Sequence, residues 1–177
     1  MANLWHDLPP GRDAPNIVFV IVEIPQRSRN KYEYDMQGGF VKLDRVLYSS
    51  LHYPGDYGFI PQTRYDDGDP MDVLVMVTEP TFPGCVIEAR PIGIFRMRDH
   101  GEPDDKILAV PATDPLFEGY EDLEDVAPHF LTEVTHFFSV YKDLQHVGVE
   151  TLGWEGREAA LAEINRSIAL YAEHSET

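Results

Sequence analysis

The pattern of apolar and polar positions predicts a chain built mainly from short β-strands. Residues 17–24, IVFVIVEI, are almost wholly apolar and β-branched, which is typical of a buried strand, and Pro25 ends the run. Similar shorter runs predict further strands at residues 31–36, 38–49, 58–60, 73–77, 85–97 and 107–110. Gly- and Pro-rich turns separate these runs, so the pattern favours a closed or sandwich-like β structure.

The last third of the chain changes to helical periodicity. In residues 128–144, apolar side chains recur at intervals of three and four, and Pro128 suits the first turn of a helix. A second helix is predicted at residues 157–174, with one apolar face formed by Leu161, Ile164, Ile168 and Tyr171. The sequence has no internal repeat or low-complexity linker. We therefore expect residues 1–177 to form a single domain, mixed α+β and mainly β, with both helices packed on the β core.

The net charge of the chain limits the kinds of ligand that it is expected to bind. The chain has 31 acidic and 14 basic residues, a formal net charge of −17. This balance argues against electrostatic binding to nucleic acid or to an anionic membrane surface. It would also repel an anionic substrate, so binding such a substrate would require divalent cations that invert the local field.

The first residues, the apolar runs and the cysteine content indicate the cellular compartment. The first residues, MANLWHDLPPGRDAPN, do not have the basic start and apolar middle of a secretory signal. No apolar run approaches the roughly 20 residues that a membrane span needs. Cys85 is the single cysteine, which excludes an internal disulfide, and no His/Cys cluster predicts a zinc site. We expect a cytoplasmic protein in which Cys85 packs as a small hydrophobic residue.

Four carboxylates are concentrated in DDGDPMDV, residues 66–73. Asp67 and Asp69 leave the same face of an extended segment, and Gly68 lets the backbone bend between them. Asp72, three residues further on, could converge with them. Such neighbours raise one another's pKa unless a cation neutralises them, and carboxylate oxygens select Mg²⁺, Mn²⁺ or Ca²⁺. From these eight residues alone, a solvated acidic turn is an open alternative.

Two other interpretations of this cluster fail on spacing. A calcium EF-hand loop counted from Asp67 needs an oxygen ligand at its fifth position and Glu at its twelfth, but Met71 and Thr78 stand there. A phosphatase of the haloacid dehalogenase type places its aspartates after an apolar strand. Here the apolar run VLVMV follows the aspartates.

Other chemically suitable groups are spread along the chain. Residues 99–106, DHGEPDDK, form a second acidic loop with Asp99, Asp104 and Lys106, for which an ordinary hairpin loop is the alternative. Groups suited to a polyanion are Lys31, Glu33, Arg45, Tyr53, Tyr57, Tyr141 and Lys142. Taken singly, each fits a surface charge or a core-edge aromatic residue. Their combination is informative because Arg and Lys neutralise phosphate and Tyr hydroxyls donate to its oxygens.

These residues resemble a known family. DGDPMDV, residues 67–73, matches the D-x-D-P-x-D-V signature of the family I soluble inorganic pyrophosphatases. The resemblance continues through segments such as RNKYEYD, DRVLYSSLHYPGDYGFIP, RPIGIFRMRD and HFFSVYKDL. The length is similar to that of the compact bacterial and archaeal members. The resemblance implies an OB-like closed five-stranded β-barrel with additional short strands and two helices packed on it.

The resemblance also implies roles for individual residues. Asp67, Asp72 and Asp104 would hold two tightly bound Mg²⁺ ions that share the nucleophilic water, and Asp69 would be the general base. Asp99, together with Asp104, would bind a further metal that arrives with the substrate. The phosphoryl groups would be held by Lys31, Arg45, Tyr57, Tyr141 and Lys142. Supporting roles fall to Glu23, Glu33, Tyr53 and Lys106.

The implied function is hydrolysis of pyrophosphate to two orthophosphates by direct attack of a metal-activated water, which removes pyrophosphate released by biosynthesis. The implied cofactor is Mg²⁺, several ions per site, with Mn²⁺ as an alternative, and the implied assembly is a homohexamer. Val140 departs from the many bacterial members that have His there, and we expect an altered helix surface or subunit contact. Asp66 lies outside the signature and is interpreted as a solvated neighbour.

Two rival functions remain open from the sequence. One is a metal-dependent hydrolase of other phosphoanhydrides, such as nucleotides or longer phosphate chains. The other is a non-catalytic OB-type binding module, against which the shortage of Lys and Arg weighs.

Overall fold

A computed structural model of the protein describes residues 2–175. This part of the chain contains nine strands, β1 (Val18–Ile24), β2 (Asn30–Asp35), β3 (Phe40–Val46), β4 (Asp56–Phe59), β5 (Asp72–Val75), β6 (Val86–Asp99), β7 (Glu102–Pro103), β8 (Lys106–Pro111) and β9 (Val149–Gly156). Its two α-helices are α1 (Pro128–Val140) and α2 (Arg157–Ser175). Short 3₁₀ turns lie at Pro115–Phe117, Leu123–Asp125 and Asp143–Gln145. The protein is thus mainly β with two helices, as predicted.

The main sheet connects strands that are distant in sequence. Strand β4 pairs with β1 and β5, β8 pairs with β5 and β6, and β6 pairs with β1. Each of these five strands therefore has two neighbours among the other four, and these pairings form a cycle. Strands β7 and β9 add to β6, whereas β2 and β3 form a separate two-stranded sheet. All of these pairs are antiparallel except β5 with β8.

Strand β6 lies between the two principal core clusters because its successive side chains point to opposite faces. Ile94 packs in a cluster that includes Ala160 and Ile164 of α2. Phe95, the next residue, packs in a cluster that includes Val134 and Phe138 of α1. Each helix therefore covers its own apolar cluster, and both clusters depend on the same strand.

The predicted strands and helices are present, with small shifts at their ends. Helix α1 ends at Val140 rather than at residue 144, and a 3₁₀ turn follows at Asp143–Gln145. Strand β9 was missed, because its sequence VETLGWEG contains two glycines and no apolar–polar alternation. Hydrogen bonds to β6, which no local pattern reveals, define it as a strand. Cys85 lies just before β6 and packs, partly buried, against a core cluster.

Neither helix of residues 2–175 combines the length and the apolar character that crossing a bilayer would require.

The packing of Phe95 gives a test of the core. Phe95 is fully buried and its ring centroid lies 5.0 Å from that of Trp154 and 6.0 Å from that of Phe138. We expect Phe95→Ala to lower the free energy of unfolding by about 3–5 kcal/mol, since it removes a large side chain from a packed core. Denaturant titration followed by circular dichroism measures this change. Phe82→Ala is the control, because Phe82 is 64% exposed and a change within about 0.5 kcal/mol is expected. Equal losses in both variants would contradict the assigned core.

Candidate active site

A cavity of about 470 Å³ lies where several elements end. Its walls come from β1, the β2 strand, residues 64–71, residues 99–106 and the end of α1. Residues 64–71 are called the acidic loop below, and residues 99–106 the second acidic loop. Every site residue predicted from the sequence lines this cavity except Arg45. The structure therefore brings together groups spread over more than a hundred positions of the chain.

The acidic loop turns tightly and does not form the extended segment considered from the sequence. Gly68 has φ of +91°, a left-handed backbone conformation that glycine adopts readily. Its N–H donates to the carbonyl oxygen of Tyr65 over 3.0 Å, and the Asp69 N–H donates to Asp67 Oδ1 over 2.9 Å. This turn leaves Asp67 and Asp69 both lining the cavity.

Strand register brings Asp72 and Lys106 together. They are the first residues of the parallel strands β5 and β8, and they are directly paired. Lys106 Nζ donates to Asp72 Oδ2 and to Asp104 Oδ1, each over 2.7 Å. The Lys106 side chain is only 3% exposed. Burial alone would lower the pKa of Lys106, but Asp72 and the other neighbouring groups raise it well above its ordinary value.

Lys142 is a further cationic side chain of the cavity, and it lies beside the second acidic loop. Asp99 is the last residue of β6, and Lys142, just after α1, donates a hydrogen bond to Asp99 Oδ2. Asp99 Oδ1 lies 2.9 Å from Nδ1 of His100. Burial acts to raise the pKa of Asp99, but the contact with Lys142 outweighs it and holds this pKa below its usual value. Asp99 is therefore ionised and already paired.

Other carboxylates in the cavity are poorly compensated. Burial raises the pKa of Asp67 to about 6, with Asp72 and Asp69 adding to the shift. Burial also raises the pKa of Asp69, and Asp72 acts in the same direction. The pKa of Asp104 is raised by burial and by Asp72, although Lys106 opposes the shift. Burial raises the pKa of Glu23 to about 8, even though Glu23 accepts a 2.8 Å hydrogen bond from the Tyr34 N–H.

The donor set fits a hard divalent cation. Within residues 2–175, no three His, Cys, Asp or Glu side chains converge as they would around a bound ion. The cavity nevertheless supplies carboxylate oxygens from several elements, which Mg²⁺, Mn²⁺ and Ca²⁺ prefer. The raised pKa values of Asp67, Asp69 and Asp104 also indicate negative charge that a cation would relieve.

Three tyrosines form an aromatic wall of the cavity. The ring centroids of Tyr53 and Tyr57 are 5.5 Å apart, and Tyr141 stacks on Phe137 at 5.4 Å. Burial raises the pKa of Tyr53, of Tyr57 and of Tyr141. The phenol groups therefore stay protonated at neutral pH, and each can donate a hydrogen bond to an anion.

Arg45 lies at the edge of the cavity, outside its lining. It is directly opposite Lys31 in the β2–β3 hairpin, and Lys31 does line the cavity. Asp44 accepts from Lys31 Nζ over 3.2 Å and from an Arg45 terminal nitrogen over 2.8 Å. Arg45 Nε is buried and has no hydrogen-bond partner among the described residues. The sequence interpretation missed Asp44, which holds these two cations side by side.

Asp66, interpreted from the sequence as a solvated neighbour, is exposed but is also paired. Its two carboxylate oxygens accept hydrogen bonds from Arg166 of α2 over 2.8 and 3.2 Å. The sequence also gave no role to Asp105, which is buried and accepts a 2.6 Å hydrogen bond from the Tyr65 hydroxyl. In each pair of adjacent aspartates, Asp66–Asp67 and Asp104–Asp105, one lines the cavity and the other contacts the protein scaffold. The sequence of such a run of aspartates does not indicate which of them line the cavity and which contact the scaffold.

The fold and the cavity together define a class of protein. Carboxylates that need a cation lie beside lysines and protonated tyrosines, all at the ends of elements of a β-rich fold. This donor set is that of a metal-dependent enzyme acting on phosphate-bearing anions.

Comparison with known proteins narrows the class to a family. The family model described as inorganic pyrophosphatase matches residues 20–172. The chain is 53% identical to an inorganic pyrophosphatase of Haloferax volcanii, over 98% of this chain and 99% of that one. It is 52% identical to one of Halobacterium salinarum, over 98% of each chain. A crystal structure of the Thermus thermophilus inorganic pyrophosphatase superposes with a TM-score of 0.93 at 45% identity, covering 97% of this chain and 99% of that one. The chain belongs to the inorganic pyrophosphatase family.

The charge of the cavity predicts that divalent cations stabilise the folded protein. At a free Mg²⁺ concentration 100 times its dissociation constant, the free energy of unfolding should rise by about 2.7 kcal/mol. Asp72→Ala should reduce this gain, since it removes one of the clustered carboxylates. Thermal unfolding across a MgCl₂ titration measures the effect.

The control for this titration is Glu173→Ala, because Glu173 is exposed on α2 and does not line the cavity. It should keep the Mg²⁺ response of the wild type. The same response in the Asp72 and Glu173 variants would show that the ions act elsewhere.

Proposed function

We propose that this protein hydrolyses inorganic pyrophosphate to two orthophosphates by direct attack of water on phosphorus. The observation that carries the proposal is the cavity itself, in which Asp67, Asp69, Asp72 and Asp104 face lysine and tyrosine donors. Membership of the inorganic pyrophosphatase family gives the substrate. Such a reaction would remove the pyrophosphate that biosynthetic reactions release.

In this proposal Asp67, Asp72 and Asp104 would hold two Mg²⁺ ions, and Asp99 with Asp104 would hold a further one. Mn²⁺ is an alternative. These residues fit because their oxygens are hard donors and because burial raises the pKa of Asp67 and of Asp104. When bound, the ions supply positive charge that lowers the pKa of the attacking water and neutralises the phosphoryl oxygens.

Asp69 is proposed as the general base. It lines the cavity, and burial, with Asp72 acting in the same direction, raises its pKa, which makes the carboxylate a better proton acceptor. The backbone turn at Gly68 fixes it beside Asp67. In the reaction, Asp69 accepts a proton from the water as the new O–P bond forms and the bond to the leaving phosphate breaks.

The proposed substrate contacts come from the opposite walls. Lys31, Lys142, Tyr57 and Tyr141 line the cavity, and their ammonium and hydroxyl groups can donate to the oxygens of both phosphoryl groups. Arg45 would act from the edge, where its buried Nε makes no hydrogen bond to any of residues 2–175. The supporting residues are proposed to orient these groups: Glu23, Glu33, Tyr53 and Lys106.

Several wider features of the family resemblance are also proposed. The cycle of pairings among β1, β4, β5, β8 and β6 supports a closed OB-like barrel. The packing of both helices on clusters that share β6 supports a single domain over residues 1–177. A cytoplasmic homohexamer stays a prediction from the resemblance, and Val140, the last residue of α1, is a proposed contributor to its altered surface.

The direct test is a phosphate-release assay on pyrophosphate, with and without Mg²⁺. We expect release with the metal and little without it. Parallel assays on ATP and tripolyphosphate address the rival hydrolase, which predicts comparable release from those substrates. No release from any of the three with Mg²⁺ or Mn²⁺ present would reject the proposal and favour a binding module.

The base assignment predicts a large loss of turnover in Asp69→Asn. The amide cannot accept the proton, so kcat should fall by about 10²–10⁴-fold, the usual contribution of a general base. The stabilisation by Mg²⁺ should be largely retained. Asp13→Asn is the control, since Asp13 is exposed and away from the cavity. Turnover of Asp69→Asn close to that of the control would refute the assignment.

A further inference from the structure

The acidic loop is held from behind by residues that the proposed chemistry does not use. Tyr65 and Asp66 directly precede Asp67, and both contact groups outside the cavity. Residues 64–71 belong to no strand or helix, so the sheet does not fix their backbone. The contacts of Tyr65 and Asp66 are therefore available to set the position of the loop.

Arg166 of α2 is the central group of these contacts. Its guanidinium makes two hydrogen bonds to Asp66, of 2.8 and 3.2 Å, and its Nε donates to Glu163 over 2.6 Å. The guanidinium carbon lies 5.2 Å from the centre of the Tyr65 ring. One side chain thus holds both residues that precede Asp67. A backbone bond from the Arg64 N–H to the Ser167 carbonyl, 2.9 Å long, adds a second tie to α2.

The same contacts extend to the second acidic loop. The Tyr65 hydroxyl donates to Asp105 Oδ2, which also accepts a 2.8 Å bond from Arg96. Asp105 Oδ1 accepts from the Met97 N–H over 2.9 Å. Asp105 directly follows Asp104, so the buried Asp105 ties the acidic loop to the second acidic loop on the side away from the cavity.

We propose that Arg166 is a positioning residue, which holds Asp66 and Tyr65 so that Asp67 and Asp69 face the cavity. This inference rests on the proposed function, because it concerns the geometry of that site. The carboxylates of Asp66, Asp67, Asp69 and Asp72 repel one another, and Arg166 draws one of them away from the cluster. The loop then turns at Gly68 with its remaining carboxylates facing inward.

The contact is well placed to act on geometry more than on global stability. The side chains of Asp66 and Arg166 are 40% and 41% exposed, and exposed ion pairs contribute little to the stability of the whole fold. Catalysis is more sensitive, because a misplacement of about 1 Å can lower a rate by roughly 10²-fold. We expect a partial displacement and a fall in kcat on the order of tenfold.

The kinetic experiment compares Arg166→Met, Asp66→Asn and the double variant, with pyrophosphate and saturating Mg²⁺. Both single variants should lower kcat on the order of tenfold, with little change in KM, because the substrate contacts are elsewhere. The double variant should lose no more than either single one, since the two residues act through one contact. Arg166→Lys keeps the charge without the fork of two bonds and should recover part of kcat.

Arg157→Met is the matched control. Arg157 is also on α2 and is paired with a carboxylate, Glu121, over 2.7 Å, but neither residue lines the cavity or contacts the acidic loop. Its kcat should equal that of the wild type. Equal values of kcat in the Arg166 and Arg157 variants would overturn the positioning role, as would additive losses in the double variant.

Amide hydrogen exchange without metal or substrate gives a readout that does not need activity. The Gly68 N–H, bonded to Tyr65, and the Tyr65 N–H, bonded to Asp69 over 2.7 Å, report on the turn. Both should exchange faster in Arg166→Met and Asp66→Asn than in the wild type and in Arg157→Met. Unchanged exchange would overturn the inference. If the wild type releases no phosphate, the proposed function fails, while the exchange result still decides whether Arg166 fixes the loop.

Discussion

Repulsion among clustered, partly desolvated carboxylates is the constraint on which the rest of the site depends. A protein with a net charge of −17 concentrates aspartates at one cavity, where burial makes each negative charge more costly. Lys106 supplies the internal compensation, with bonds to Asp72 and Asp104. Its own burial is tolerable because those same carboxylates stabilise its charge. Lys106 therefore keeps its charge because of two carboxylates that it in turn compensates in part.

The β fold sets this arrangement through register. The parallel pair of β5 and β8 places Asp72 opposite Lys106, and both strands begin at those residues. The strands then continue as apolar core, with Val73 and Ile107 fully buried. In each strand, a charged residue at the cavity is thus followed directly by an apolar residue of the core. A shift of one residue in register would place Asp72 and Lys106 in the apolar interior and Val73 at the cavity.

Local patterns predicted most of the elements and the contiguous part of the site. The aspartates of residues 67–72 and the strands around them could be found because each signal lies within a few residues. Three features could not be predicted, because they depend on contacts between distant segments. Strand β9 is defined by its bonds to β6, Asp66 is paired with Arg166 a hundred positions away, and Arg45 is drawn to Asp44 at the edge of the cavity. In each case the local sequence is compatible with several structural environments. Contacts with distant segments determine which of these environments the residues occupy.

The aspartates of the cavity divide into two electrostatic groups, which indicates where added cations act. Asp99 has Lys142 beside it, and its pKa is lowered. Within residues 2–175 no lysine pairs with Asp67 or Asp69, and burial raises the pKa of each. Arg64 acts to lower the pKa of Asp69, but its influence is smaller than that of burial or of Asp72. The chain has therefore neutralised one side of the cavity with its own lysines and left the side of the acidic loop dependent on external positive charge. Arg166 follows the same division, because it pairs with Asp66 and not with the two aspartates of the loop that line the cavity.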